Sequence, residues 1–244
     1  MLLDTSLYFK TFLILISELG ILFGFTYWVI HSANQAYKNN TSFMGVTFRP
    51  AVNMKNQLDL VPSDSQKTAM IFSWLTFSLV VSGIAVTIIS SAGLNVLVGI
   101  AFMTINAISI GIILGFIMLE MDENDGMRAI YTVMMVTVVA ALIGTFSGIN
   151  FANRTLAIIL FVGLLMSISF NIARVSKNFA RKTTRNWAIF GSCLFVLYLI
   201  FDFNMLLKLS ERTNDWNTAL FMAYSIYLDI INLLLEILDA MGNS

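Results

Sequence analysis

The sequence predicts an all-α fold, a polytopic membrane helical bundle of about seven transmembrane helices, and three observations carry that expectation. Of 244 residues, 58% are hydrophobic and 11% charged, against roughly 45–50% apolar and ~25% charged in a soluble domain. Mean hydropathy is +0.82. Apolar runs of 20 to 26 residues recur along the whole chain, each matching the ~20 residues that a helix needs to cross a bilayer. No soluble catalytic domain fits in what remains.

The runs fall at about 11–30, 69–91, 94–119, 127–149, 154–173, 187–209 and 217–240. The segment Met1 to Lys10 contains Asp4 and lacks a basic start, and the run after it is too long for a cleaved signal, so it reads as a retained first helix. The weakest break is Ser90-Ser91-Ala92-Gly93, whose small residues fit a tight turn or a continued helix, leaving six or eight spans as alternatives. Residues 1–244 read as a single transmembrane domain with a polar, Asn-rich loop at about 31–68 that holds both prolines, Pro50 and Pro62. No span contains proline and no internal repeat is found, which disfavours a rocking-bundle transporter built from broken helices. Three GxxxG spacings, Gly20/Gly24, Gly111/Gly115 and Gly144/Gly148, mark faces where a neighbouring backbone can approach, with packing inside the bundle expected over a dimer contact.

Formal charge is zero, 14 Lys+Arg against 14 Asp+Glu, so nothing suggests a nucleic-acid footprint. The expected partners are the lipid bilayer, an ion, or other membrane proteins of a larger assembly. Cys193 is the single cysteine and His31 the single histidine, which forbids an internal disulfide and a zinc or bis-histidine haem site. No cofactor is expected, but a carboxylate site for a hard cation such as Ca²⁺ or Mg²⁺ needs only oxygens. Counted over alternate loops, one face collects Lys38, Arg49, Lys55, Lys67, Arg128, Arg174, Lys177, Arg181, Lys182 and Arg185, and the other Lys10, Arg154, Lys208 and Arg212. Positive-inside bias then puts the N-terminus outside, with Arg174 to Arg185 as a basic topology anchor or, less favoured, a lipid-headgroup contact. The sequons at Asn39, Asn40 and Asn153 fall on opposite faces in this arrangement.

Charged groups inside a bilayer are expensive unless paired or wet, about +2.5 to +3.5 kcal/mol for a central Asp on insertion scales. The short list is therefore informative: Glu18 in the first helix, Asp202 in the sixth, Asp229 and Glu236 in the seventh, and Glu120 at a helix end. The sixth and seventh helices meet at a turn-rich segment, Arg212 to Asn217, whose Asx residues suit a helix cap. Counted from Asp215, Asp202 lies 13 residues back and Asp229 14 forward, so in an antiparallel hairpin both sit about 20 Å along the axis, at one depth. Two carboxylates there cannot both ionise cheaply, so one proton is shared. With it the pair can hold two helices together, and without it the pair repels or captures a cation, a transient Ca²⁺ site. Tyr198, four residues before Asp202, and Asn232 and Glu236, three and seven after Asp229, fall on the same faces as the carboxylates. Asp229, Asn232 and Glu236 thus form a polar stripe suited to an ion path. The bland alternative is that each acid is satisfied by Tyr, Ser or Asn neighbours, and for Glu18 simple pairing with another helix is the favoured reading.

Enzyme readings fail on their motifs. No P-loop occurs. Gly144-Thr145-Phe146-Ser147-Gly148 offers a serine, but the one histidine, His31, sits at a helix end. An aspartyl intramembrane protease also places two Asp on adjacent helices, but its Gly-x-Gly-Asp and Pro-Ala-Leu elements are missing: Asp229 follows Ile226-Tyr227-Leu228, and no proline lies beyond Pro62.

Leu197-Tyr198-Leu199-Ile200-Phe201-Asp202-Phe203-Asn204 resembles the Tyr-Asp-Thr-Gln type of element in the sixth helix of the Bax inhibitor family, the transmembrane Bax inhibitor motif proteins. Ser225-Ile226-Tyr227-Leu228-Asp229-Ile230-Ile231-Asn232-Leu233 is similar to that family's seventh-helix Tyr-Leu-Asp-Ile-Ile-Asn-Leu-Phe signature. The third run shares a Gly-x-x-Leu, Gly111-Ile112-Ile113-Leu114. The resemblance implies a seven-helix bundle in which Asp202 and Asp229 form a pH-sensing pair controlling calcium leak. It also implies an N-inside topology, opposite to the charge count, and a place in a bacterial plasma membrane, endoplasmic reticulum, Golgi or mitochondrial inner membrane. The chain departs from the family pattern in Phe201-Asp202-Phe203 and in a second run, Met70 to Ser91, without an acidic or basic residue. Two functions are therefore expected: a pH-sensitive calcium leak channel, or an accessory subunit of a larger complex that keeps the fold without conducting.

Overall fold

The computed structural model describes residues 6–52, 58–121, 123–177 and 179–242. Asp4 and Lys55, used above, lie outside them. Seven helices dominate: α1 (Leu7–Lys38), α2 (Ser65–Ser91), α3 (Val96–Leu119), α4 (Glu123–Phe146), α5 (Arg154–Ser176), α6 (Arg181–Ser210) and α7 (Trp216–Gly242). All seven are long and apolar enough to cross a membrane, and the fold is all-α and polytopic. The doubtful break after Ser90 is a turn: Gly93 has φ +65°, a conformation that needs no Cβ, and Asn95 caps α3 by accepting from the Leu97 N–H at 3.0 Å.

Between α1 and α2 the structure departs from the expected loop. Helix α1 runs on to Lys38 because Val29, Ala33 and Ala36 keep its apolar stripe buried past residue 30. The connection then forms an antiparallel hairpin, β1 (Phe48–Val52) with β2 (Leu58–Pro62), pairing Phe48 with Pro62 and Pro50 with Leu60. A two-stranded ribbon has only edges, so both prolines fit. The 31–68 segment is thus helix end, hairpin and helix start. Asp64 caps α2, accepting from the N–H groups of Gln66 and Lys67 at 3.1 and 3.0 Å. Those donors, the Lys67 N–H foremost, hold its carboxyl below the usual carboxylate range. The cap therefore strengthens α2 above that range and is lost as pH falls through the lowered value.

The chain gathers into two compact units. One comprises Lys10–Gly126 with Trp216–Phe221. There Gly111 and Gly115 admit α1: a Cβ on Gly111 would stand 2.5 Å from the Leu22 carbonyl oxygen, and one on Gly115 2.6 Å from Val29 Cβ. The Thr26 hydroxyl uses that closeness, lying 3.1 Å from the Gly111 carbonyl. Polar side chains bind α2 to α3, with Asn106 Nδ2 donating to the Leu79 carbonyl at 3.1 Å and Ser109 bonded to Ser78 at 3.1 Å. The hairpin seats Val46 and Phe48 on Phe116 and Leu119.

The second unit comprises Met1–Phe9, Met127–Asp215 and Met222–Ser244. Gly144 in α4 meets α6, where an added Cβ would stand 2.6 Å from the Ile200 carbonyl oxygen. Three glycines depart from the packing expectation. Gly20 and Gly24 have nothing within 4 Å of an added Cβ, and Gly148 lies past the end of α4 with φ +70° and open space. The basic segment is shorter than expected, because Arg174 belongs to α5 and Arg181, Lys182 and Arg185 to α6.

Apolar side chains cover the outside of the least buried helices, including Trp74, Phe77, Met135 and Phe161, all more than half exposed. Such a surface suits lipid tails. By contrast, 61% of the most apolar stretch of α7 and 50% of that of α6 is buried, against 11% for α2. Asp202, Asp229 and Glu236 therefore sit on the two most enclosed helices.

Candidate functional site

Helix α6 buries a stripe at Phe195, Leu199, Asp202, Phe203 and Leu206, the i, i+3, i+4 rhythm of one helical face. Helix α7 buries Ala223, Ile226, Tyr227 and Ile230. Two contacts fix their sense: Asp202 meets Asp229, and Gly191 lies against Glu236. As the number falls on α6 it rises on α7, so the helices are antiparallel. Asp202 and Asp229 are 5% and 7% exposed.

The two carboxyl groups are hydrogen-bonded to each other, and the Ser225 hydroxyl bonds to Asp202. Ionised carboxylates only accept, so a hydrogen bond between two of them contains a proton. The Oδ2 atoms of both residues are buried and receive no hydrogen bond from a hydroxyl, amide or backbone N–H. Once the shared proton left, these oxygens would need to accept from water or bind a cation. Calcium requires six to eight oxygens; two carboxyl groups and Ser225 supply part of a shell, and water would complete it. Among the described residues no three His, Cys, Asp or Glu side chains gather as a metal site.

Tyr198 lies close enough to feel the charge of both carboxyl groups. Asn232 is half-buried on α7. Glu236 is hydrogen-bonded by Ser167 of α5, and its carboxyl group occupies the space over Gly191, where a Cβ would collide with it. Beside it, Arg174 makes a two-pronged ion pair with Asp239, Nη1 to Oδ2 at 2.6 Å and Nη2 to Oδ1 at 2.9 Å. Ser167, Asn171, Trp187, Glu236 and Asp239 line one narrow crevice there. The structure thus brings Asp202, Asp229 and Tyr198 together and leaves Glu236 further along α7. Glu18 belongs to the other unit, 2% exposed, with Thr104 of α3 as its partner.

Sequence reasoning missed Ser225, four residues before Asp229 and so on its face. It also missed Asp239, three after Glu236, and read its partner Arg174 as a loop charge. The Arg174–Asp239 pair is partly exposed, at 38% and 28%, so Arg174→Ala and Asp239→Ala should each destabilise by about 1–2 kcal/mol, well under the cost of breaking a fully buried pair. Thermal unfolding of the single and double variants should show coupling, the double variant losing less than the sum.

Compared with models of known protein families and with curated proteins, the chain matches none of them.

Proposed function

We propose that this chain is a pH-sensitive cation leak channel for calcium, of the Bax inhibitor type, gated by Asp202 and Asp229. The observation that carries the reading is the carboxyl–carboxyl hydrogen bond buried between the two most enclosed helices. With its proton the pair ties α6 to α7. Without it, two like charges face each other in low dielectric and must separate, take water, or capture a cation. The stripe Asp229, Asn232 and Glu236 leads from the pair toward the Arg174–Asp239 crevice. The seventh-helix resemblance supports the same reading.

The accessory-subunit reading is favoured by one feature, the open Gly20/Gly24 face of α1, where the backbone of another protein's helix can approach. Calcium flux into liposomes carrying the purified wild-type chain separates the two. The channel reading expects flux above that of protein-free vesicles, rising with pH as the pair loses its proton. A folded sample without flux contradicts it and leaves the accessory role.

A further inference from the structure

We infer that Glu18 is a buried proton-binding site that joins α1 to α3, separate from the Asp202–Asp229 pair. Glu18 lies on the inward face of α1 with Thr11, Leu15, Leu22 and Thr26 and is 2% exposed. The Thr104 Oγ1 atom lies 2.8 Å from Glu18 Oε1 and 3.0 Å from the carbonyl oxygen of Ile100. A hydroxyl has one proton to donate. Were Glu18 ionised, one of these contacts would set acceptor against acceptor. A proton on Glu18 resolves both: the carboxyl O–H donates to Thr104 Oγ1, and the Thr104 O–H donates to Ile100.

The other oxygen, Oε2, is buried without a hydrogen-bond partner. A carboxylate spreads its charge over both oxygens, so half of it would sit there unsatisfied, whereas a neutral acid leaves only a carbonyl. Among the described residues no counter-charge acts on Glu18. Helix α3 and residues Trp216–Phe221 contain no ionisable side chain, and α2 contributes only Lys67, exposed beside Asp64 in its first turn. Lys10, eight residues earlier on α1 and about 12 Å along its axis, lies over the Trp216 ring. Protonated, Glu18 holds α1 to α3; deprotonated, it must draw in water or a cation and loosen that contact. The site stands whether or not the Asp202–Asp229 pair gates an ion.

Infrared spectroscopy at neutral pH tests this on the full chain carrying Asp202→Asn and Asp229→Asn, which removes the other buried pair. The expected spectrum contains the carbonyl stretch of a protonated carboxylic acid. One acid's worth of that band disappears on adding Glu18→Gln, whose amide can still donate to Thr104, and the band moves on adding Thr104→Val. A spectrum unchanged by Glu18→Gln overturns the inference. Should the combined variants fail to fold, the difference between wild type and Glu18→Gln alone reads the same band with the same two outcomes.

Discussion

Gly144→Leu and Gly111→Leu should each destabilise the chain by about 3 kcal/mol, whereas Gly24→Leu should change stability by less than about 0.5 kcal/mol. At Gly144 the obstacle is backbone: an added Cβ meets the Ile200 carbonyl oxygen at 2.6 Å and Phe203 Cβ at 2.9 Å. At Gly111 it meets the Leu22 carbonyl oxygen. Backbone inside a helix cannot swing aside as a side-chain tip can, so the helices must separate. Gly24 faces open space, and leucine there also gains helix propensity. Thermal unfolding in mild detergent compares the three.

Asn204→Ala should have a comparable effect, about 3 kcal/mol, because one buried amide serves three backbone groups. Its Oδ1 accepts from the Ala152 N–H at 2.9 Å, and its Nδ2 donates to the carbonyls of Gly144 at 2.8 Å and Ile149 at 3.2 Å. Alanine strands all three where α4 ends and the connection to α5 begins. Lys208 holds the same connection through Asn150 and the Ala152 carbonyl. The Ala152 amide should therefore exchange with solvent much faster in Asn204→Ala, with the rest of α6 still protected. Combined with Gly144→Leu the loss should fall short of additive, because both changes open the same α4–α6 contact.

Helix number and approximate bounds were legible because the spans are long, apolar and proline-free. The hairpin was not, because five-residue strands in a polar, Asn-rich stretch show no period that sets them apart from loop. GxxxG spacing identified faces that permit close approach, but it could not tell that Gly111 and Gly144 have a helix against them while Gly20 and Gly24 do not. That depends on which face tertiary packing turns inward. The meeting of Asp202 and Asp229 followed from counting residues either side of one turn, since helical rise is constant. The Arg174–Asp239 pair lay beyond such counting. It joins α5 to α7, 65 residues apart, and nothing local in sequence aligns those two ends.

The measurement closest to the central claim is the pH response of calcium flux in liposomes, taken side by side for wild type, Asp202→Asn and Asp229→Asn. An asparagine donates an N–H to the remaining carboxylate without needing a shared proton, so the hydrogen bond between α6 and α7 persists at every pH. Wild-type flux should rise with pH, and both variants should respond flatly. A variant that keeps the wild-type pH response, in a sample that is folded and conducting, would contradict that claim.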